Sequence, residues 1–177
     1  KYVQASGAKV GGIIVNIGGL MGKTNNTTLK KLSVARQTLM YAHVGDANVG
    51  GVVGYMYGGS ATSITVNATA SSGSNDSSIQ FGSSSSINTS NNSRIGGFGG
   101  TLNSTTVSKI SVDKGIIVYS STPNDQGRCE VGGFVGNFSN SVMSYTLGDK
   151  NFIAGRIRVL NARAVLHIGG VLGTLSN

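Results

Sequence analysis

Tryptophan is absent from this 177-residue chain, proline occurs once, at Pro123, and cysteine occurs once, at Cys129. A single cysteine excludes an internal disulfide, so nothing covalent staples the fold. No run of about 18 apolar residues occurs, which excludes a membrane-spanning helix in this segment. Charge is scarce too, at 11% of residues, and the acids are only Asp46, Asp76, Asp113, Asp125, Glu130 and Asp149. With so few carboxylates and only His43 and His167, the groups that general acid-base or metal chemistry requires are thin. Asp113 in SVDKG and Asp149 in TLGDK read as turn formers, and His43 and His167 as surface residues a few positions before a repeated motif. No glycine stretch ends in the Gly-Lys-Ser/Thr of a phosphate loop. No cofactor, metal or catalytic residue is therefore expected, and the chain reads as not an enzyme.

The net charge of +8 asks whether nucleic acid is the partner. The densest basic stretch is GRIRVLNAR, where Arg156 and Arg158 alternate with Ile157 and Val159 as on the outer face of an ordinary strand, with Arg163 beyond. Neither zinc spacing nor a set of stacking aromatics accompanies it, so nucleic acid is excluded. Glycans, an anionic surface or an acidic neighbouring subunit suit such a charge better.

What the chain has in abundance is glycine, 28 residues of it, and the glycines are ordered. IGGLMG, VGGVVG, IGGFGG, VGGFVG and IGGVLG start at residues 17, 49, 95, 131 and 168, which gives spacings of 32, 46, 36 and 37 residues. Repeats of that period signal stacked supersecondary units. After each of the first four anchors comes a polar turn and then alternating apolar residues, as in TNNTTLKKLSV, YGGSATSITV, LNSTTVSKISV and FSNSVMSYTL. A further apolar run often follows, as in TLMYAHV, GIIVYS and RIRVL. Alternation rich in Val, Ile, Thr and Tyr predicts strands, about three per repeat.

These residues resemble the GLUG repeats of bacterial and protist surface and adhesin-like proteins, whose pattern is a VGGLVG anchor, a polar turn and a strand. VGGFVGNFSNSVMSYTLGD, from Val131 to Asp149, is the best match; the other copies match chiefly through the anchor. The resemblance implies an extracellular β-solenoid region of a large surface protein and carries no catalytic residues to transfer. Together with the repeats it leads us to expect an all-β fold: one parallel right-handed β-solenoid over residues 1–177, of about five Gly-Gly-anchored coils. A stop in mid-repeat, at GTLSN, predicts a piece of something longer.

Two readings of the Gly-Gly pair stand side by side. In a straight strand, Leu20, Val52, Phe98, Phe134 and Val171 would form an outward apolar stripe, a surface for assembly with copies of itself or with other surface subunits. If the pair is a bend, those residues turn inward with Val49, Val53, Val131 and Val135, which are expected in the core under either reading.

The second repeat is lengthened by a Ser-rich stretch, residues 71–93, expected to be a loop insertion that only Ile79, Phe81 and Ile87 tack down. Asn-X-Ser/Thr triplets begin at Asn25, Asn26, Asn67, Asn75, Asn88, Asn91, Asn103 and Asn137. They are candidate N-glycosylation acceptors in a secreted eukaryotic protein, or the arithmetic of an Asn- and Ser-rich composition. Cys129, in GRCE, is a candidate inter-chain thiol or an unpaired residue without a role. Two functions follow: a structural or adhesive solenoid at the cell surface, or a carbohydrate-binding or carbohydrate-cleaving β-helix protein, which would need converging acids.

Overall fold

The computed structural model describes residues 2–5, 14–36, 39–42, 46–68, 77–81, 92–112, 116–121, 128–144, 156–160 and 165–177. Among them there is no helix; they form strands joined by bends, in three all-parallel sheets. The first sheet runs β1 (Tyr2–Ala5), β4 (Leu39–Ala42), β7 (Ser77–Phe81), β11 (Ile116–Ser121), β15 (Arg156–Leu160). The second runs β2 (Ile14–Gly18), β5 (Asp46–Gly50), β8 (Ser93–Gly96), β12 (Arg128–Gly132), β16 (Val165–Gly169). In the third, the long strands β3 (Met21–Arg36) and β6 (Val53–Ala68) pair along their length, and β6 pairs next with both β9 (Gly99–Asn103) and β10 (Thr106–Val112). The two halves then continue separately, to β13 (Val135–Ser139) and β17 (Leu172–Ser176), and to β14 (Val142–Ser144). The chain visits the sheets in the same order in every repeat.

The anchors set the register. Ile17, Val49, Ile95, Val131 and Ile168 are partners from strand to strand across the second sheet, so spacings as unlike as 32 and 46 residues end in one alignment. Both sides of these central strands are covered, as parallel sheets require. Val49, Val53, Val131 and Val135 are fully buried.

Between the second and third sheets the chain bends at Gly19–Leu20, Gly51–Val52, Gly97–Phe98, Gly133–Phe134 and Gly170–Val171. The bend explains the Gly-Gly pair. A methyl group on its first glycine would lie 2.0 Å from the carbonyl oxygen of Val135 at Gly132, 2.1 Å from that of Val53 at Gly50 and 2.2 Å from that of Gly99 at Gly96. The third anchor glycine meets the preceding repeat. At Gly54, Gly100, Gly136 and Gly173 an added Cβ would come within 2.4–2.6 Å of the backbone nitrogen of Ile17, Val49, Ile95 and Val131. Two backbones approach with no side chain between them, a role only glycine can fill.

Left-handed backbone occurs elsewhere. Asn26, Gly58, Ser104 and Asn140 have φ between 46° and 64° at corresponding places in four repeats, and Lys31, Ser63 and Lys109 form a second such row at 53–56°. These corners are the polar turns of the sequence. At three corners of the first row a hydroxyl donates to the carbonyl two residues back: Thr27 to Asn25, Thr105 to Asn103, Ser141 to Ser139. An L-residue pays about 1–2 kcal/mol for this conformation, against about 0.5–1 kcal/mol of extra entropy lost by glycine. Ser63→Gly is therefore expected to raise stability by up to about 1 kcal/mol in denaturant unfolding, and Ser63→Val to lower it.

The Ser-rich stretch is not one loop. Ser77–Phe81 forms β7, which fills the place between β4 and β11; Ile79 pairs with Met40 and Val118, and Phe81 with Ala42 and Ser120. Five residues with alternating Ile79 and Phe81 suffice because both edges of the strand find a partner. Ile87 lies outside the described residues.

Candidate functional site

Chemistry-bearing side chains gather along one seam. The residue just before each anchor, Asn16, Asn48, Arg94, Glu130 and His167, forms a single column across the second sheet. Alternation turns this column away from the face of Ala47 and Val49. A facing column on the third sheet holds Lys23, Tyr55, Thr101, Asn137 and Thr174. The seam closes because the glycines described above bring the two sheets' backbones together.

At one end the seam is a ladder of amide and hydroxyl groups beside one lysine. Asn48 Nδ2 donates to Asn16 Oδ1 at 2.8 Å, and Thr101 Oγ1 donates to Asn48 Oδ1 at 2.6 Å. Lys23 Nζ lies 5.6 Å from the centre of the Tyr55 ring, a cation over an aromatic face. At the other end it is ionic. Glu130 Oε1 is 2.8 Å from Arg128 Nε and Oε2 is 3.2 Å from Arg94 Nε, with the carboxylate 2% exposed. Arg128 Nη2 lies 3.1 Å from His167 Nδ1, itself 3.0 Å from Thr174 Oγ1. A guanidinium only donates, so in the Arg128 contact Nδ1 is the acceptor.

This arrangement holds the repeats together. Both oxygens of Glu130 are engaged and shut away from solvent. Asp46 Oδ1 accepts from the backbone N–H of Asn92 at 2.8 Å, and Asn92 Oδ1 accepts from the backbone N–H of Arg128 at 3.2 Å, which ties three successive repeats. Asp76, Asp113, Asp125, Asp149 and His43 lie outside the described residues, as does Arg163. Among the described residues no group of three His, Cys, Asp or Glu side chains is placed to hold a metal. No helix among them is long and apolar enough to cross a membrane.

The ion cluster is lopsided, and its energetics follow. Removing Glu130 leaves Arg94 and Arg128, 29% and 45% exposed, able to turn to water. Removing both arginines strands a buried carboxylate. Arg94→Ala with Arg128→Ala is expected to cost about 3–5 kcal/mol, and Glu130→Gln about 1–2 kcal/mol, compared by urea midpoints; equal losses would contradict the lopsided picture.

The stripe residues separate by position. Val52, Phe98 and Phe134 are in the core, the two phenylalanine rings stacked with centroids 5.3 Å apart, while Leu20 and Val171, in the first and last repeats, are exposed. In the middle repeats the bend has turned the stripe inward, so it is not an outer surface there. Cys129 is also fully buried, in register between Ser93 and Leu166, and an inter-chain bond would have to reach it through the core. Of the Asn-X-Ser/Thr triplets, Asn25 and Asn26 are exposed, and Asn67, Asn103 and Asn137 are half-buried. Asn67 Nδ2 donates to Ser33 Oγ at 2.8 Å. Asn75, Asn88 and Asn91 lie outside the described residues. The Asn25 and Asn103 triplets coincide with corners whose Thr hydroxyl bonds the asparagine's own carbonyl, so corner geometry generates the pattern by itself. Arg156 and Arg158 lie on β15, beside Ile117 and Tyr119 of β11.

The seam was missed in the sequence although its signal is plain: NIGG, NVGG, RIGG, EVGG and HIGG each put one polar residue before the anchor. No family model, no curated protein and no solved structure matches the chain.

Proposed function

We propose that the chain is a right-handed parallel β-solenoid in which each repeat is one coil, and that it serves as a non-catalytic extracellular structural or adhesive element, a length of surface layer, filament or adhesin stalk. The observation that carries this reading is the common register of the five anchors, with the three sheets visited in constant order. Parallel strands joined by long crossovers favour the right hand. The resemblance to GLUG repeats supplies the extracellular setting. The carboxylates that are described serve the stack, which favours a structural role over sugar cleavage. Asn25 and Asn26, exposed at a corner, are the described triplets most open to a glycan.

The test is to incubate the chain with neutral and acidic polysaccharides, reading reducing ends and unsaturated products, and to measure its retention on the same polymers immobilised. We expect no turnover, with retention on anionic polymers that fades as salt screens the charge. Turnover that disappears on substituting an Asp or Glu would replace this reading with the carbohydrate-cleaving one.

A further inference from the structure

The third sheet carries positive charge with no negative charge to offset it. Its strands contain Lys23, Lys30, Lys31, Arg36 and Lys109 and neither Asp nor Glu. The two acids among the described residues, Asp46 and Glu130, both belong to the second sheet. Three of the lysines lie in one place. Where β3, β6 and β10 pair, Leu29, Ile64, Val66 and Ile110 are in the core, which turns Lys30, Thr62 and Ser108 outward in one row and Ser33, Thr65 and Ser111 in another. Between those rows, at the left-handed corner, stand Lys31, Ser63 and Lys109, all three exposed. This is a flank of the stack and not an end of it: β6, paired on both sides, contributes to it.

The corner residues themselves ask for an explanation. The left-handed conformation is routine for Gly and Asn and strained for longer L-residues. The first corner row follows that preference with Asn26, Gly58 and Asn140, whereas the second has lysine twice, Lys31 and Lys109, each at φ 53°. Lysine gives the corner nothing that Asn would not give better. What it adds is an ammonium group on the ridge, and backbone strain of this kind gathers at functional positions. Lys31 and Lys109 are two strand spacings apart, about 9–10 Å between backbones, with the Ser63 hydroxyl between them. In the adjoining row Thr62 Oγ1 and Ser108 Oγ are hydrogen-bonded at 2.7 Å.

We propose that this flank is a docking surface for a linear acidic polysaccharide lying along the stack, its carboxylates on Lys30, Lys31 and Lys109 and its hydroxyls on the Ser and Thr rows. Charge complementarity selects an anion. The rest of the surface selects a sugar, because hydroxyl side chains both donate and accept hydrogen bonds, as sugar hydroxyls do. Among the described side chains of β3, β6 and β10 the only exposed large apolar group is Tyr57, beyond the first corner. The flank therefore lacks the apolar and aromatic centre of a protein interface and the apolar face that inserts into an anionic membrane. It also lacks the series of rings on which the bases of a single strand stack. This inference rests on the adhesive reading above, and it names the surface and the partner.

The test is calorimetric titration of the 177-residue chain with polygalacturonate, against dextran, polyglutamate, phosphatidylserine vesicles and oligothymidylate. The parent is expected to bind polygalacturonate, more weakly as salt is raised, and to prefer it over the other four. Lys31→Asn with Lys109→Asn removes two charges and installs a residue suited to the corner. That variant should keep or raise the melting temperature while binding polygalacturonate about tenfold more weakly. Arg156→Gln with Arg158→Gln removes the same charge from the first sheet and should leave binding unchanged. Lys30→Gln, on the strand outside the corner, should weaken binding by itself, which supplies the answer even if the corner variant loses its fold. A parent that ignores polygalacturonate, lysine variants that bind as the parent does, an arginine variant that loses as much, or equal binding of polyglutamate, vesicles or oligothymidylate would each overturn the inference. Cleavage of polygalacturonate by a chain whose binding still depends on the lysines would overturn only the non-catalytic reading. Retention without cleavage that no lysine variant weakens would overturn only the docking surface.

Discussion

A single methyl group added at Gly100 is expected to unfold much of the protein, while the same methyl at its neighbour Gly99 is expected to be tolerated. At Gly100 the new carbon would lie 2.4 Å from Val49 N, 2.7 Å from the Asn48 carbonyl carbon and 2.7 Å from Gly54 O. All three are backbone atoms inside sheets, so relief requires separating the second and third sheets along the seam. Overpacking that side chains can absorb costs about 1–3 kcal/mol, and a clash that only strands can relieve belongs above that range. At Gly99 the nearest atoms are Leu102 Cδ2 at 3.2 Å and Val53 Cγ1 at 3.6 Å. Leu102 is a flexible side chain that can shift by a few tenths of an ångström. Gly99 stands in the row of Val53 and Val135, so Ala is nearer the size its neighbours carry. Gly→Ala at an unstrained position gains about 0.4–1 kcal/mol through the unfolded chain, which places Gly99→Ala near neutral. Thermal unfolding of the two variants decides the matter; similar melting temperatures would refute the assignment of the third anchor glycine to a backbone contact.

The second large effect is expected from Phe98→Lys combined with Phe134→Lys, which should abolish cooperative folding. The two rings are stacked and almost wholly buried. Truncation of one such ring costs about 3–5 kcal/mol, and an unpaired ammonium in its place adds a desolvation penalty. Two substitutions, at about 6–10 kcal/mol before the ammonium penalty, are as large as a whole domain's stability of about 5–15 kcal/mol. The readout is circular dichroism with a denaturant titration. A folded, soluble double variant would mean that these residues face outward.

The register of the second sheet was legible because five anchors carried it and because parallel pairing aligns like with like. The direction of Phe98 and Phe134 was not, because alternation assumes a straight strand and the Gly97–Phe98 and Gly133–Phe134 bends break it. The reading of Ser71–Ser93 as a loop left out the strand at Ser77–Phe81 for a related reason. Composition says how much a segment can bury by itself, whereas β7 is held by backbone pairing to two neighbours that the sequence does not announce. The polar seam was written in the five residues before the anchors. It went unread because Asn, Arg, Glu and His look unrelated until stacking puts them in one column. Cys129 shows the same limit: in sequence it is a candidate inter-chain thiol, yet alternation with Arg128 and Glu130 turns it to the opposite face, into the core.

The unequal repeats have a mechanical meaning. Because the bonds between neighbours run along the stack, tension applied to the chain ends detaches one repeat at a time, and each detachment releases the residues between successive anchors. At about 3.6 Å per residue, the 32-residue spacing yields about 115 Å of slack and the 46-residue spacing about 165 Å. The longest release belongs to the repeat that contains the Ser-rich stretch, so residues that add nothing to the anchor register set how far the chain extends under load.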